Sequence, residues 1–136
     1  MTLDSLRRYC LSLPHSTENV QWENDLVFKI AGKMYAVAAL EPGPHWLSFK
    51  ATPEDFASLT EREGIKPAPY LARAQWVSIE SPDTLPAAEL KPLLRQAYDL
   101  VFAKLTKKVQ ASLSSESETR VSPKLRGSSR SPRVTS

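Results

Sequence analysis

Lys66-Pro67-Ala68-Pro69-Tyr70-Leu71-Ala72-Arg73-Ala74-Gln75-Trp76-Val77-Ser78-Ile79-Glu80 opens as a proline-framed turn and closes as a strand. The paired prolines frame a turn, because each lacks the amide that a regular element would use. From Gln75 to Glu80, Trp76, Ser78 and Glu80 alternate with Val77 and Ile79, the period of a strand with one buried side. Upstream, Thr52-Pro53-Glu54-Asp55 is a helix start: a capping threonine, proline in the first turn and acids at the positive end of the dipole. That helix is expected to reach about Glu63, with Gly64 ending it.

Further upstream, Leu26 to Ile30 and Lys33 to Ala39 flank Ala31-Gly32, a tight hairpin in which glycine takes positive φ. After the Glu41-Pro42-Gly43-Pro44 loop comes a strand at about His45 to Lys50. It sets Leu47 and Phe49 on one side and Trp46, Ser48 and Lys50 on the other. Residues 14–25 read as polar connection. A first helix is expected over Leu3 to Leu13, capped by Thr2 and stopped by Pro14, with Leu3, Leu6, Cys10, Leu11 and Leu13 as its apolar stripe. The clearest helical period is the last: Leu90, Leu93, Leu94, Ala97, Tyr98, Val101, Phe102 and Leu105. Pro92 implies an irregular turn at 86–91 and a regular helix from about 92 to 108. The order helix, three strands, helix, strand, helix predicts an α+β fold, an antiparallel sheet with helices packed on one face and N- and C-terminal helices.

The 136 residues carry a net charge of +3, all of it placed at one end. Residues 1–110 balance thirteen Lys/Arg against thirteen Asp/Glu, whereas residues 111–136 hold five Lys/Arg against two Glu. The last 26 residues contain nine serines and no aromatic side chain, so they are read as a disordered Ser/Arg-rich basic tail following a 1–110 domain. A domain of that length buries roughly 65% of its unfolded surface, enough for one core without staples. The single cysteine, Cys10, cannot form an internal bridge and fits a reducing, cytoplasmic setting. No secretory signal or membrane span is expected.

Catalytic groups are scarce. The two histidines, His15 and His45, fall beside prolines and read as surface residues, with no nucleophile partner in view. Nor do they make a metal site, or four scattered glycines a phosphate loop. A non-enzymatic, monomeric protein without metal or cofactor is expected.

Binding is the remaining class. Lys29, Lys33, Lys50, Lys66 and Arg73 are the basic candidates, and alternation turns Lys29 and Lys50 away from the apolar side. With Trp46 and Trp76 they would make a surface that grips phosphates and stacks on bases, with DNA as the partner. Against this, Trp22, Tyr70 and Trp76 read first as packing groups. The rival is a protein- or small-ligand-interaction module in which Trp46, Tyr35 and Trp76 line an apolar sheet face.

A family resemblance joins these pieces. Leu13-Pro14 with Glu18 and Trp22, the Phe28-to-Ala36 hairpin, Leu47-Ser48-Phe49-Lys50 before Thr-Pro-Glu, Gly64-Ile65, Pro69-Tyr70, Trp76 and Ala97-Tyr98-Asp99-Leu100-Val101 are in the order found in the MmcQ/YjbR family. The chain resembles these small bacterial proteins over about residues 1–108. The resemblance implies a CyaY-like fold and the DNA-binding role by which the family is described. It departs at Arg73-Ala74-Gln75, where members often carry a basic pair and a histidine. The acidic ridge by which the CyaY group holds iron has no counterpart on a first helix carrying Asp4 beside Arg7 and Arg8, so iron binding is not implied.

Overall fold

Helix α1 (Leu3–Ser12) is secured at its start by a reciprocal pair: the Ser5 amide donates to the Thr2 hydroxyl and the Thr2 amide to the Ser5 hydroxyl. Two amides that every helix start leaves orphaned are satisfied this way. Six strands and two further helices follow: β1 (Ser16–Gln21), β2 (Asp25–Ile30), β3 (Lys33–Ala39), β4 (Leu47–Lys50), α2 (Pro53–Leu59), β5 (Ile65–Pro67), β6 (Trp76–Ile79) and α3 (Ala87–Ala103). This computed structural model describes residues 1–69 and 71–113. Tyr70, and the expected tail from 114 onward, lie outside the described residues.

The sheet runs β1-β2-β3-β4-β6-β5, with every neighbouring pair antiparallel, and the fold is α+β. Leu26, Phe28, Ala36, Leu47, Phe49, Val77 and Ile79 share one side and are buried. Helices α1 and α3 cover that side: the Tyr98 ring of α3 meets the Tyr35 ring edge-on at 5.7 Å, and its hydroxyl donates to the Pro14 carbonyl just beyond α1.

The structure corrects the sequence reading in several places. β1 and β5 are additional strands. β1, Ser-Thr-Glu-Asn-Val-Gln, is polar because an edge strand has solvent on its free side. β5 is three residues long and ends in Pro67, which has no amide to pair and is tolerated only at an edge. Leu11 is exposed rather than part of the apolar stripe. Helix α3 starts at Ala87 and accommodates Pro92, which removes one backbone bond, then stops at Ala103. Residues 107–113 form a separate helical stretch, α4, whose Val109 amide donates to the Thr106 hydroxyl. It passes the boundary expected at 110 and belongs to a second unit beginning at Leu105, whereas residues 1–104 form the first.

The most consequential correction is at Tyr35. Simple alternation pairs it with Val37 on the side away from the helices. The register instead slips between Phe28 and Lys29: Phe28 faces Ala36 while Lys29 faces Met34, leaving Tyr35 as an extra residue. Tyr35 and Ala36 are both fully buried on the helix side. The Tyr35 hydroxyl lies 2.6 Å from Ser16 Oγ and donates to the Cys10 carbonyl at 3.3 Å. Tyr35 therefore joins β1, β3 and α1 and lines no surface.

Candidate functional site

The second sheet side carries the candidate groups. Its middle row crosses all six strands in register: Asn19, Val27, Val37, Ser48, Ser78 and Lys66. Toward the Ala31-Gly32 turn, the lower end, lies a row holding Thr17, Lys29 and Met34 on β1–β3 and the paired Lys50 and Trp76 on β4 and β6. Both turn residues have positive φ, Ala31 at 50° and Gly32 at 80°, as a two-residue hairpin demands. At the upper end the Trp46 amide donates to the Ile79 carbonyl, bringing the 40–46 loop against β6.

The basic candidates separate into three environments. Lys29 is half-buried on this side, at the lower end. Lys50 shares that side, but its Nζ donates to the Ala74 carbonyl at 2.8 Å and so ties β4 to the Ala72–Ala74 3₁₀ turn. Burial, and then the neighbouring Lys104, pull the Lys50 ammonium below its usual range. Arg73 is exposed on that same 3₁₀ turn. Lys33 pairs with Ile30, so the register slip carries it to the helix side of the lower rim, where it is exposed. Lys66 stands apart on β5.

The aromatic candidates do not join the lysines. Trp76 is 4% exposed, a packing group on a strand that is buried along its whole length. Trp46 is half-buried at the opposite end from Lys29 and Lys50. Trp22 is the exposed tryptophan, at 62%, in the β1–β2 turn, where it and Glu23 both take positive φ. Val20 and Leu40 are exposed too, and the Leu40 amide donates to the Asn24 carbonyl of that turn.

Three arginines are spent elsewhere, in the pairs Arg7–Glu18, Arg62–Glu89 and Arg95–Asp99. Residues 1–104 hold eleven Lys/Arg against thirteen Asp/Glu, so composition gives this unit no basic excess, and Glu54 and Asp55 in the first turn of α2 follow Lys50 closely. Two features escaped sequence reasoning. Lys104, the C-cap residue of α3, comes close enough to Lys50 to disfavour its charge. His45, read as a surface residue, is half-buried with its Nδ1 2.8 Å from the Oγ of the buried Ser78. No local signal links residues so far apart in the chain.

Cys10 is fully buried, and burial pushes its thiol up to about 12, which makes it a core residue. Among the described residues no group of three or more His, Cys, Asp or Glu stands together, and no helix is long and apolar enough to cross a membrane.

Residues 11–100, spanning β1 to β6 and most of α3, match the YjbR family. The chain belongs to the YjbR family. It is similar to the crystal structure of Deinococcus radiodurans protein DR2400, assigned the domain DUF419, at 36% identity over 83% of this chain and 88% of that one, with a TM-score of 0.75. A protein from Pseudomonas syringae, 22% identical over 74% of this chain and 98% of its own, has a TM-score of 0.61 and shares the fold. None of the curated proteins matches the chain. Family membership thus supports the order of motifs read from Leu13 to Leu100, and it leaves the function to be argued from the site.

Proposed function

We propose that this YjbR-family domain binds the phosphate backbone of DNA along the lower rim of its sheet, without catalysing a reaction. The observation that carries the reading is the register that puts Lys29 and Lys50 at one end of one sheet side, with Arg73 on the 3₁₀ turn that Lys50 holds. Like-charge crowding between Lys50 and Lys104 is relieved by a bound anion. The separation of Trp46 from this rim and the burial of Trp76 argue against base stacking as part of the interface. Binding is therefore of the positioning kind, reading phosphates and not bases.

Fluorescence anisotropy with labelled duplexes of two unrelated sequences tests this at about 50 and 200 mM salt. Replacing Lys29, Lys33 and Arg73 by Gln should flatten the salt dependence by about 0.9 in log–log slope for each phosphate no longer neutralised. A second full-length variant replaces Arg126, Arg130 and Arg133 instead. If only that variant loses binding, the activity belongs to the tail; if the unaltered chain binds neither duplex, the reading fails.

A second reading, a protein-interaction module, rests on Trp22 with Val20 and Leu40 at the upper end of β1–β3. Its signature is binding that Trp22→Ala abolishes and salt leaves unchanged.

A further inference from the structure

We infer that the cleft between the 40–46 loop and β5 is a receptor for a small zwitterion, a molecule the size of a free α-amino acid carrying a carboxylate and an ammonium. The cleft holds about 310 Å³ and is lined by Pro44, His45, Gly64, Lys66, Ser78 and Glu80 among others. That volume lies at the small end of ligand sites.

Its floor is polar and built. Ser78, on this second sheet side, is the buried polar residue among those described, 2% exposed, and its hydroxyl lies 2.8 Å from His45 Nδ1. Pro42 and Pro44 stiffen the loop that brings His45 there. On the opposite wall Gly64 has φ +85°, and a Cβ there would come 3.1 Å from the Thr84 methyl and 3.6 Å from a Glu80 carboxylate oxygen, so Thr84 closes the wall behind the glycine and the Glu80 carboxylate lies beside it.

The walls carry opposite charges that do not meet. Lys66 faces Ser78 across β5–β6, and Glu80 lies two residues further along, a diagonal neighbour at roughly 7–8 Å between Cα atoms. Long side chains at that spacing can pair, yet among the described residues neither side chain makes a hydrogen bond or an ion pair. A ligand carrying both charges satisfies both at once, its carboxylate on Lys66 and its ammonium on Glu80. A phosphate dianion meets repulsion from Glu80, and a simple amine meets repulsion from Lys66. The site is separate from the lower rim, so its fate does not depend on the DNA reading.

Amide chemical-shift mapping on the full chain tests the inference, with free α-amino acids added one at a time and acetate, methylamine and inorganic phosphate as single-charge controls. At least one amino acid should shift the Gly64, Lys66, Ser78 and Glu80 amides to saturation, and none of the controls should do so at the same concentration. Lys66→Gln and Glu80→Gln, both at exposed positions, should each weaken that binding by roughly tenfold or more while leaving the remaining spectrum in place. Saturation by phosphate that tightens in Glu80→Gln would make this an anion site and overturn the proposal. So would the absence of cleft shifts with every amino acid at about a hundred times the millimolar affinity expected of a few charged interactions.

Discussion

The two sides of this sheet are made from the same strands and are held by different physics. On the helix side, Leu26, Phe28, Ala36, Leu47, Phe49, Val77 and Ile79 form a continuous apolar layer closed by α1 and α3. On the other side, Val27, Ser78 and Trp76 are as buried as any core residue, yet Lys29, Ser48 and Lys50 stand between them. Burial there follows from neighbours: Trp76 pairs with Lys50, whose ammonium is drawn to the Ala74 carbonyl. One side is stabilised by removing apolar area from water, and the other combines packing with satisfied polar groups. A residue's position on the second side does not reveal whether it faces solvent.

The sharpest way to break the contrast is Trp76→Ala. If its burial is real packing, the loss should be roughly 3–5 kcal/mol, as large as for Phe49→Ala on the helix side. Urea midpoints of the two variants compare them directly, and an unchanged midpoint for Trp76→Ala would show a solvent-facing ring.

Alkaline titration should follow in size. Burial raises the Cys10 thiol from 9.0 to about 12 and raises the Tyr35 phenol as well. Both groups resist ionising in the fold and ionise freely once unfolded. Their stabilisation is complete below the unfolded pKa and declines as pH rises through the folded one. Between about pH 9 and 12 the thiol alone should lower stability by up to about 1.4 kcal/mol per pH unit. Stability flat across that window would contradict a helix-side location for both. The same burial should keep Cys10 inert to thiol reagents until the chain unfolds.

Tyr35→Phe keeps the ring and removes the hydroxyl shared with Ser16 and Cys10. About 1–2 kcal/mol should go, from one missing hydrogen bond and a less satisfied pair of partners. Least of all, Lys29→Gln should leave the denaturation midpoint within about 0.5 kcal/mol of the parent, because its half-exposed side chain seals no part of the core. That variant belongs in the DNA measurement, where a folded protein with altered salt response would sharpen the difference between the sides.

Much of the fold was legible in the sequence because it was written in local periods. The Val77/Ile79 alternation, the Ala31-Gly32 turn, the Thr52 cap and the long stripe of α3 each came from residues within a few positions of one another. β1 was illegible for a physical reason: an edge strand with water on its free side needs little apolar patterning, and its pairing partner β2 does the selecting. Of the candidate site, alternation placed Lys29 and Lys50 correctly. Tyr35, expected on the apolar sheet face, is instead on the helix side, since one inserted residue reverses the side chains beyond it.

By itself, then, the sequence determined the α+β class, most of the elements and membership of a recognisable family, since propensity, caps and period act over a few residues. Tertiary structure alone decided which candidates meet. The insertion of β6 between β4 and β5 buried Trp76 and set Ser78 beneath His45, and the end of α3 brought Lys104 to Lys50. The last two encounters join residues more than thirty positions apart, and only the closing of the sheet and its helix layer can bring them together.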